Sequence, residues 1–102
     1  MAVHCTWPAI AAVHVTTIGR LHARHGTTSM LATTMTAPLA EIEAALRALA
    51  PAVAQRASGS ARVLGVHLEG PYIHPERLGA QPAFTRPPSL AEVLALAALA
   101  PI

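Results

Sequence analysis

The stretch ARVLGVHLEGPYI, Ala61 to Ile73, decides the fold of this chain. Val63, Leu64, Val66 and Leu68 form the short apolar run of a strand buried on both faces. The run reaches Glu69 and meets Gly70-Pro71. Glycine tolerates turns closed to other residues, and proline restricts the residue before it. The strand is therefore expected to stop there, with a carboxylate at its C-terminal tip. In parallel α/β folds, that end of the sheet carries the chemistry. Glu69 is thus the first candidate functional residue. Position alone leaves two roles open: a functional carboxylate, or one that caps a neighbouring helix or pairs with an arginine.

On the N-terminal side, Ala57-Ser58-Gly59-Ser60 reads as a loop, and a helix is expected from Pro38 to about Arg56. Leu39, Ile42, Leu46, Leu49 and Val53 make one apolar stripe along it. Glu41 and Glu43 sit near its start, where the helix dipole favours negative charge. Glu43 and Arg47 are spaced to pair across one turn. Pro51 counts against one straight helix and is a point at which it can divide. Before it, Thr27 to Thr34 is rich in β-branched residues and predicts a second buried strand. Thr33, Thr34 and Thr36 crowd the end of that strand. Thr36 precedes Ala37-Pro38 and is expected to cap the helix, while Thr33 and Thr34 carry either a polar site or none. Further back, Ala9 to His25 reads as a helix with Ile10, Val13, Thr17 and Leu21 on one face, ended by Gly26. His22 and His25 are spaced for one face, but a metal needs more ligands than two, so they read as partly exposed surface histidines. Residues 1–8 carry no clear pattern.

On the C-terminal side, residues 74–88 contain Pro75, Gly79, Pro82, Pro87 and Pro88, which forbid regular structure. Loops of that length are often functional. Ser89 to Ala100 reads as a helix opened by the capping box Ser89-Leu90-Ala91-Glu92. Pro101-Ile102 stands where a further strand is expected to begin. Alternating helices and strands imply parallel βαβ units.

The composition sets bounds. With 102 residues the chain permits at most one small domain, and its core is aliphatic, since 53% of residues are hydrophobic but 3% aromatic. Such a short, apolar chain reads as the inside of a larger domain, because it buries limited area alone. The pI near 9.5 comes from arginines scattered between Arg20 and Arg86 with no interleaved aromatics, so no nucleic-acid partner is expected. Cys5 is the sole cysteine, which allows no internal disulfide and fits a reducing compartment. No charged leader precedes an apolar core, and no apolar run approaches the ~20 residues that span a bilayer. These features predict a cytoplasmic protein without a membrane partner.

The segment HGTTSMLATTMTAP (His25 to Pro38), followed after the helix by HLEGPYIHPERLGAQ (His67 to Gln81), resembles the N-acetylglucosamine-6-phosphate deacetylase family of the amidohydrolase superfamily. The resemblance covers about residues 17–102, and residues 1–16 match nothing in the family. It implies an α/β fold, a (β/α)8 TIM barrel with a small accessory β-domain. A barrel takes roughly 250 residues, so residues 17–102 would form an incomplete one, its early second and third βα units.

The resemblance also implies a reaction, hydrolysis of N-acetylglucosamine 6-phosphate to glucosamine 6-phosphate and acetate. The glutamate of the Glu-Gly-Pro motif is a metal ligand in the family, and here it is Glu69. The implied cofactor is a divalent metal ion, zinc or iron. Gly79 to Gln81 corresponds to a loop that touches the sugar phosphate, with Ala80 at the substrate contact through its backbone. Many relatives have histidine where this chain has Gln81, and no role is assigned to it. His67 supports the ligand or packs as a barrel histidine, and His74 reads as a loop histidine. The implied partner is a small-molecule amino-sugar phosphate, and the full-length enzyme is expected to be a homo-oligomer. The family also needs metal-binding histidines on later strands and a general acid/base aspartate, and this chain contains no Asp and no His-x-His. No catalytic residue is therefore expected within it, and the chain alone is expected to be inactive. A fragment of a different amidohydrolase and a non-catalytic small α/β protein or decayed gene product are the rival readings.

Overall fold

A computed structural model describes residues 2–4 and 12–102. The elements are β1 (Ala2–His4), α1 (Ala12–Arg24), β2 (Ser29–Thr33), α2 (Leu39–Ala54), β3 (Arg62–His67), a 3-10 turn (Pro75–Arg77) and α3 (Leu90–Ala97). The strands form one parallel sheet in the order β1-β2-β3. Parallel neighbours need crossovers, and α1 and α2 supply them. β1 lies in the stretch whose sequence showed no clear pattern. Thr33 stands opposite His67, so β2 and β3 end together. Met30 pairs with Val63 and Leu31 with Gly65, which leaves Leu64 as an extra residue in β3. The Pro101 carbonyl accepts from the Val66 N–H at 2.8 Å on the free edge of β3, and residues 101–102 form no strand.

Met30 and Ala32 of β2 and Val63 and Val66 of β3 are buried in one core with Val15, Ile42, Leu46, Leu49, Leu96 and Ala100. The other side of the sheet differs from the expectation of a strand buried on both faces. Leu31 and Leu64 are 42% and 55% exposed, because no second layer of the described residues covers them.

α2 follows its sequence pattern: Ile42, Leu46 and Leu49 are buried, with Leu39 and Val53 packed against them. Glu43 and Arg47 pair at 3.2 Å. Two expectations fail here. Pro51 does not divide the helix, which runs unbroken from Leu39 to Ala54. Proline lacks the N–H that would reach back one turn, but this falls near the helix end, and the Pro51 carbonyl still accepts from Gln55 N–H at 3.0 Å. Thr36 does not cap the helix: the N-cap position is Pro38, with no side-chain cap bond. Thr36 lies two residues too early, and its side chain turns against Gly70 instead.

The described part of α1 also differs in its face. Thr17 and Leu21 point outward, whereas Val15 and Gly19 are buried; Ile10 lies outside the described residues. Gly19 sets this rotation. Its carbonyl accepts from Ala61 N–H at 2.9 Å, and a Cβ on it would lie 2.1 Å from Ser60 Oγ. The helix ends as its glycine predicts. Gly26 has φ +90°, its N–H bonds the Ala23 carbonyl, and Thr27 N–H bonds that of His22, the Schellman arrangement. α3 stops at Ala97, before the expected Ala100, since Pro101 disfavours helical backbone ahead of it. Its cap is as expected: Ser89 Oγ accepts from Glu92 N–H at 3.3 Å.

Candidate functional site

β3 ends at His67, and Glu69 lies two residues on, in the turn that Gly70-Pro71 makes. Gly70 has φ +74° and is followed by a cis peptide bond to Pro71. A Cβ at Gly70 would lie 1.9 Å from Thr36 Oγ1, so glycine is what lets the ends of β2 and β3 close on each other. Thr36 is 1% exposed and Thr34 3% exposed. Both hydroxyls are buried without a hydrogen-bond partner among the described residues. Thr33, fully buried, meets His67 Nδ1 through its hydroxyl at 3.3 Å. His67 is exposed on the open face of the sheet, because no second layer of the described residues covers that face.

The long loop folds back over these strand ends. Gln81 is half-buried there. Its amide N–H donates to Glu69 Oε1 at 2.8 Å, and its amide oxygen accepts from Thr36 backbone N–H at 2.8 Å. One side chain thus joins the ends of β2 and β3 to the loop. Ala80 is exposed beside it, after Gly79 at φ +59°. Sequence reading left Gln81 without a role. The signal available was an amide, which both donates and accepts, in a long proline-rich loop; nothing in the sequence named its partners.

Farther from Glu69, a second polar cluster pins the loop to α3. Tyr72 Oη donates to Glu92 Oε2 at 3.1 Å, and Arg86 donates to both oxygens of the same carboxylate. Arg86 N–H also donates to the Pro71 carbonyl at 2.9 Å. Hydrogen bonds from Arg86 hold the Glu92 carboxyl below its usual range. Burial, with Glu92 beside it, raises the Tyr72 phenol. His74 stabilises the loop through Nδ1, which accepts from Glu76 N–H at 3.2 Å.

A divalent cation needs several oxygen or nitrogen donors around it. Glu69 offers a carboxylate beyond the C-terminal end of the sheet, held at one oxygen by an amide. That suits one hard oxygen ligand. Among the described residues no group of three His, Cys, Asp or Glu comes together to hold a metal, and His22 and His25 lie on α1 and just past its end. Glu69 by itself offers one such ligand, and the described residues do not complete a metal site around it. No helix among the described residues is long and apolar enough to cross a membrane.

No family model matches the chain. Similarity to individual proteins is clear. It is 52% identical over 60 residues to an N-acetylgalactosamine-6-phosphate deacetylase of Escherichia coli O157:H7, a stretch that covers 59% of this chain and 16% of that protein. It is 44% identical over 66 residues to an N-acetylglucosamine-6-phosphate deacetylase of Vibrio furnissii, covering 65% of this chain and 16% of that protein. A Bacillus subtilis (strain 168) protein of the same name is 48% identical over 59 residues, 56% of this chain and 15% of its own length. The matched stretch is thus about a sixth of each relative. By these comparisons the chain is similar to one segment of N-acetylgalactosamine- and N-acetylglucosamine-6-phosphate deacetylases.

Proposed function

We propose that this chain carries the Glu69 metal ligand and the Ala80 substrate contact of a deacetylase that hydrolyses the acetamido group of an N-acetylhexosamine 6-phosphate. The observation that carries the proposal is the placement of Glu69. It lies just past the end of a parallel strand, beside the Gly79-Ala80-Gln81 loop, in a segment similar to proteins of that name. The strand order β1-β2-β3, with Pro101 on the free edge of β3, supports successive units of a (β/α)8 barrel. In that reading Leu31, Leu64 and His67 face the barrel interior.

The chain's own residues take limited roles. Glu69 would supply one carboxylate oxygen to a divalent ion, zinc or iron. Such an ion, when bound, polarises the amide carbonyl and lowers the pKa of its water. Ala80 lies on an exposed turn where its backbone can meet a sugar phosphate. No described residue is placed to move the proton to the leaving amine, and that step belongs to an aspartate the chain lacks. The whole protein's substrate is an amino-sugar phosphate in a cytoplasmic homo-oligomer, and the chain alone is inactive.

A graft tests this. The aligned segment of the Bacillus subtilis relative is replaced by that of this chain, and acetate release is measured from both N-acetylhexosamine 6-phosphates. The expected result is an active graft that loses activity at least a hundredfold on Glu69→Gln. An inactive graft, or one indifferent to Glu69→Gln, overturns the proposal.

A further inference from the structure

We propose that the turn at residues 57–60, with Arg20 and Arg56, is a site for a phosphate dianion at the end of the sheet opposite Glu69. Arginines that are scattered along the sequence are gathered there by the fold. In a parallel sheet every strand begins at the same end, and each crossover helix returns the chain to that end. α1 and α2 therefore close where β2 and β3 begin. Arg24 ends α1, Arg20 lies one turn before it, Arg56 follows α2, and Arg62 opens β3. The five carboxylate side chains of the sequence lie elsewhere. Glu41 and Glu43 stand at the start of α2, Glu69 past β3, Glu76 in the 3-10 turn and Glu92 at the start of α3. Among the described residues, Arg20, Arg24, Arg56 and Arg62 form no ion pair.

The turn is a fixed platform. Ser60 N–H closes it on the Ala57 carbonyl at 3.2 Å, and Ala61 N–H ties it to the Gly19 carbonyl of α1 at 2.9 Å. Arg20 Nε donates to the Ser58 carbonyl at 3.2 Å, and Arg56 Nε donates to the Ser60 carbonyl at 3.0 Å. These carbonyls are two residues apart, a separation the chain spans in about 7 Å at most. Each bond uses Nε alone. The terminal NH2 pair of each guanidinium has no partner among the described residues. That pair is an edge that grips an oxyanion through two parallel N–H bonds. Holding Nε in advance leaves less side-chain freedom to lose on binding. A carboxylate fills one such edge with its two oxygens, whereas a phosphate has oxygens enough for two. The C-terminal ends of α1 and α2 favour cations here, but a helix end carries only about half an elementary charge and leaves the guanidinium edges open.

The proposal is independent of the reading of Glu69. The test uses the 102-residue chain labelled with 15N, with inorganic phosphate as probe and ionic strength held constant with chloride. The readout is the amide signals of residues 57–62 and the Nε–H signals of the arginines. Phosphate is expected to shift the signals of the turn and of Arg20 and Arg56 saturably. Arg20→Gln and Arg56→Gln should each weaken binding about tenfold, with the amide signals of the core unchanged. Arg47→Gln, whose arginine already pairs with Glu43, should leave binding as it was. Shifts that do not saturate, or that persist in Arg20→Gln and Arg56→Gln, are charge screening and overturn the proposal. Acetate that binds as tightly as phosphate overturns it too, because one guanidinium edge then suffices. Glucosamine 6-phosphate separates the sources of the group. Binding as tight as that of inorganic phosphate upholds a site that reads the phosphate, and binding of the sugar phosphate alone refutes it, since the sugar is then what is recognised.

Discussion

Replacing Gly70 with alanine probes how the strand ends close. Two costs add. The first is backbone: φ at Gly70 is +74°, a region that costs a residue with a Cβ roughly 1–2 kcal/mol. The second is contact. The new Cβ would lie 1.9 Å from Thr36 Oγ1, 3.0 Å from Thr36 Cβ and 3.2 Å from Thr36 Cα. Rotating the hydroxyl relieves only the first of these, because the Cα belongs to the backbone at the end of β2. Forcing an atom into such a site typically costs about 1–3 kcal/mol. The expected total is about 2–5 kcal/mol, a large fraction of the stability of a domain this size. The assay is urea unfolding followed by circular dichroism, with an unchanged slope and a lowered midpoint. A double-mutant cycle separates the two costs. Thr36→Ala alone should cost about 1 kcal/mol or less, since the lost methyl is offset by removal of a buried hydroxyl that has no partner. In the Gly70→Ala background it should return about 1–2 kcal/mol, leaving the backbone cost and the contacts with the Cα and Cβ of residue 36. A Gly70→Ala protein within about 0.5 kcal/mol of the unaltered chain refutes the reasoning, and strict additivity refutes the contact between Gly70 and Thr36.

The remaining predictions concern the core and the loop. Leu46→Ala, at a fully buried position, should lower the unfolding free energy by about 2–5 kcal/mol, whereas Leu94→Ala, 61% exposed on α3, should stay within about 0.5 kcal/mol in the same titration. The clamp of Arg86 and Tyr72 on Glu92 should weaken in acid. Because Arg86 lowers the folded-state pKa of Glu92, its contribution is complete above the ordinary glutamate range and is lost as pH falls through the lowered value. Protection of the Arg86 amide, bonded to the Pro71 carbonyl, reports it by hydrogen exchange, and protection that is flat across that range counts against the clamp.

Much of the fold was legible because it is local. The α2 stripe, the Gly26 helix end, the Ser89 cap and the Glu43–Arg47 pair each depend on residues within a turn or two of one another. The stop after the organising strand was legible for the same reason, since Gly70-Pro71 acts on its immediate neighbours. The candidate site was legible in part. Glu69 could be named from its position before that turn, and its family resemblance came with the motif.

The amino-acid sequence by itself determined β2, β3 and the helices as strand or helix, and that those strands run parallel, because periodicity and turn chemistry act over a few residues; β1 left no such local pattern. Only the tertiary structure decided the rest. The rotation of α1 follows from Gly19 touching Ser60-Ala61, about forty residues on. Thr36 leaves its expected cap because Gly70 admits it. Gln81 acquires a role only when the loop returns it to Thr36 and Glu69. Each of these is a contact between segments distant along the chain, settled by packing and by the pairing of polar groups that burial takes from water. No local pattern records such a contact.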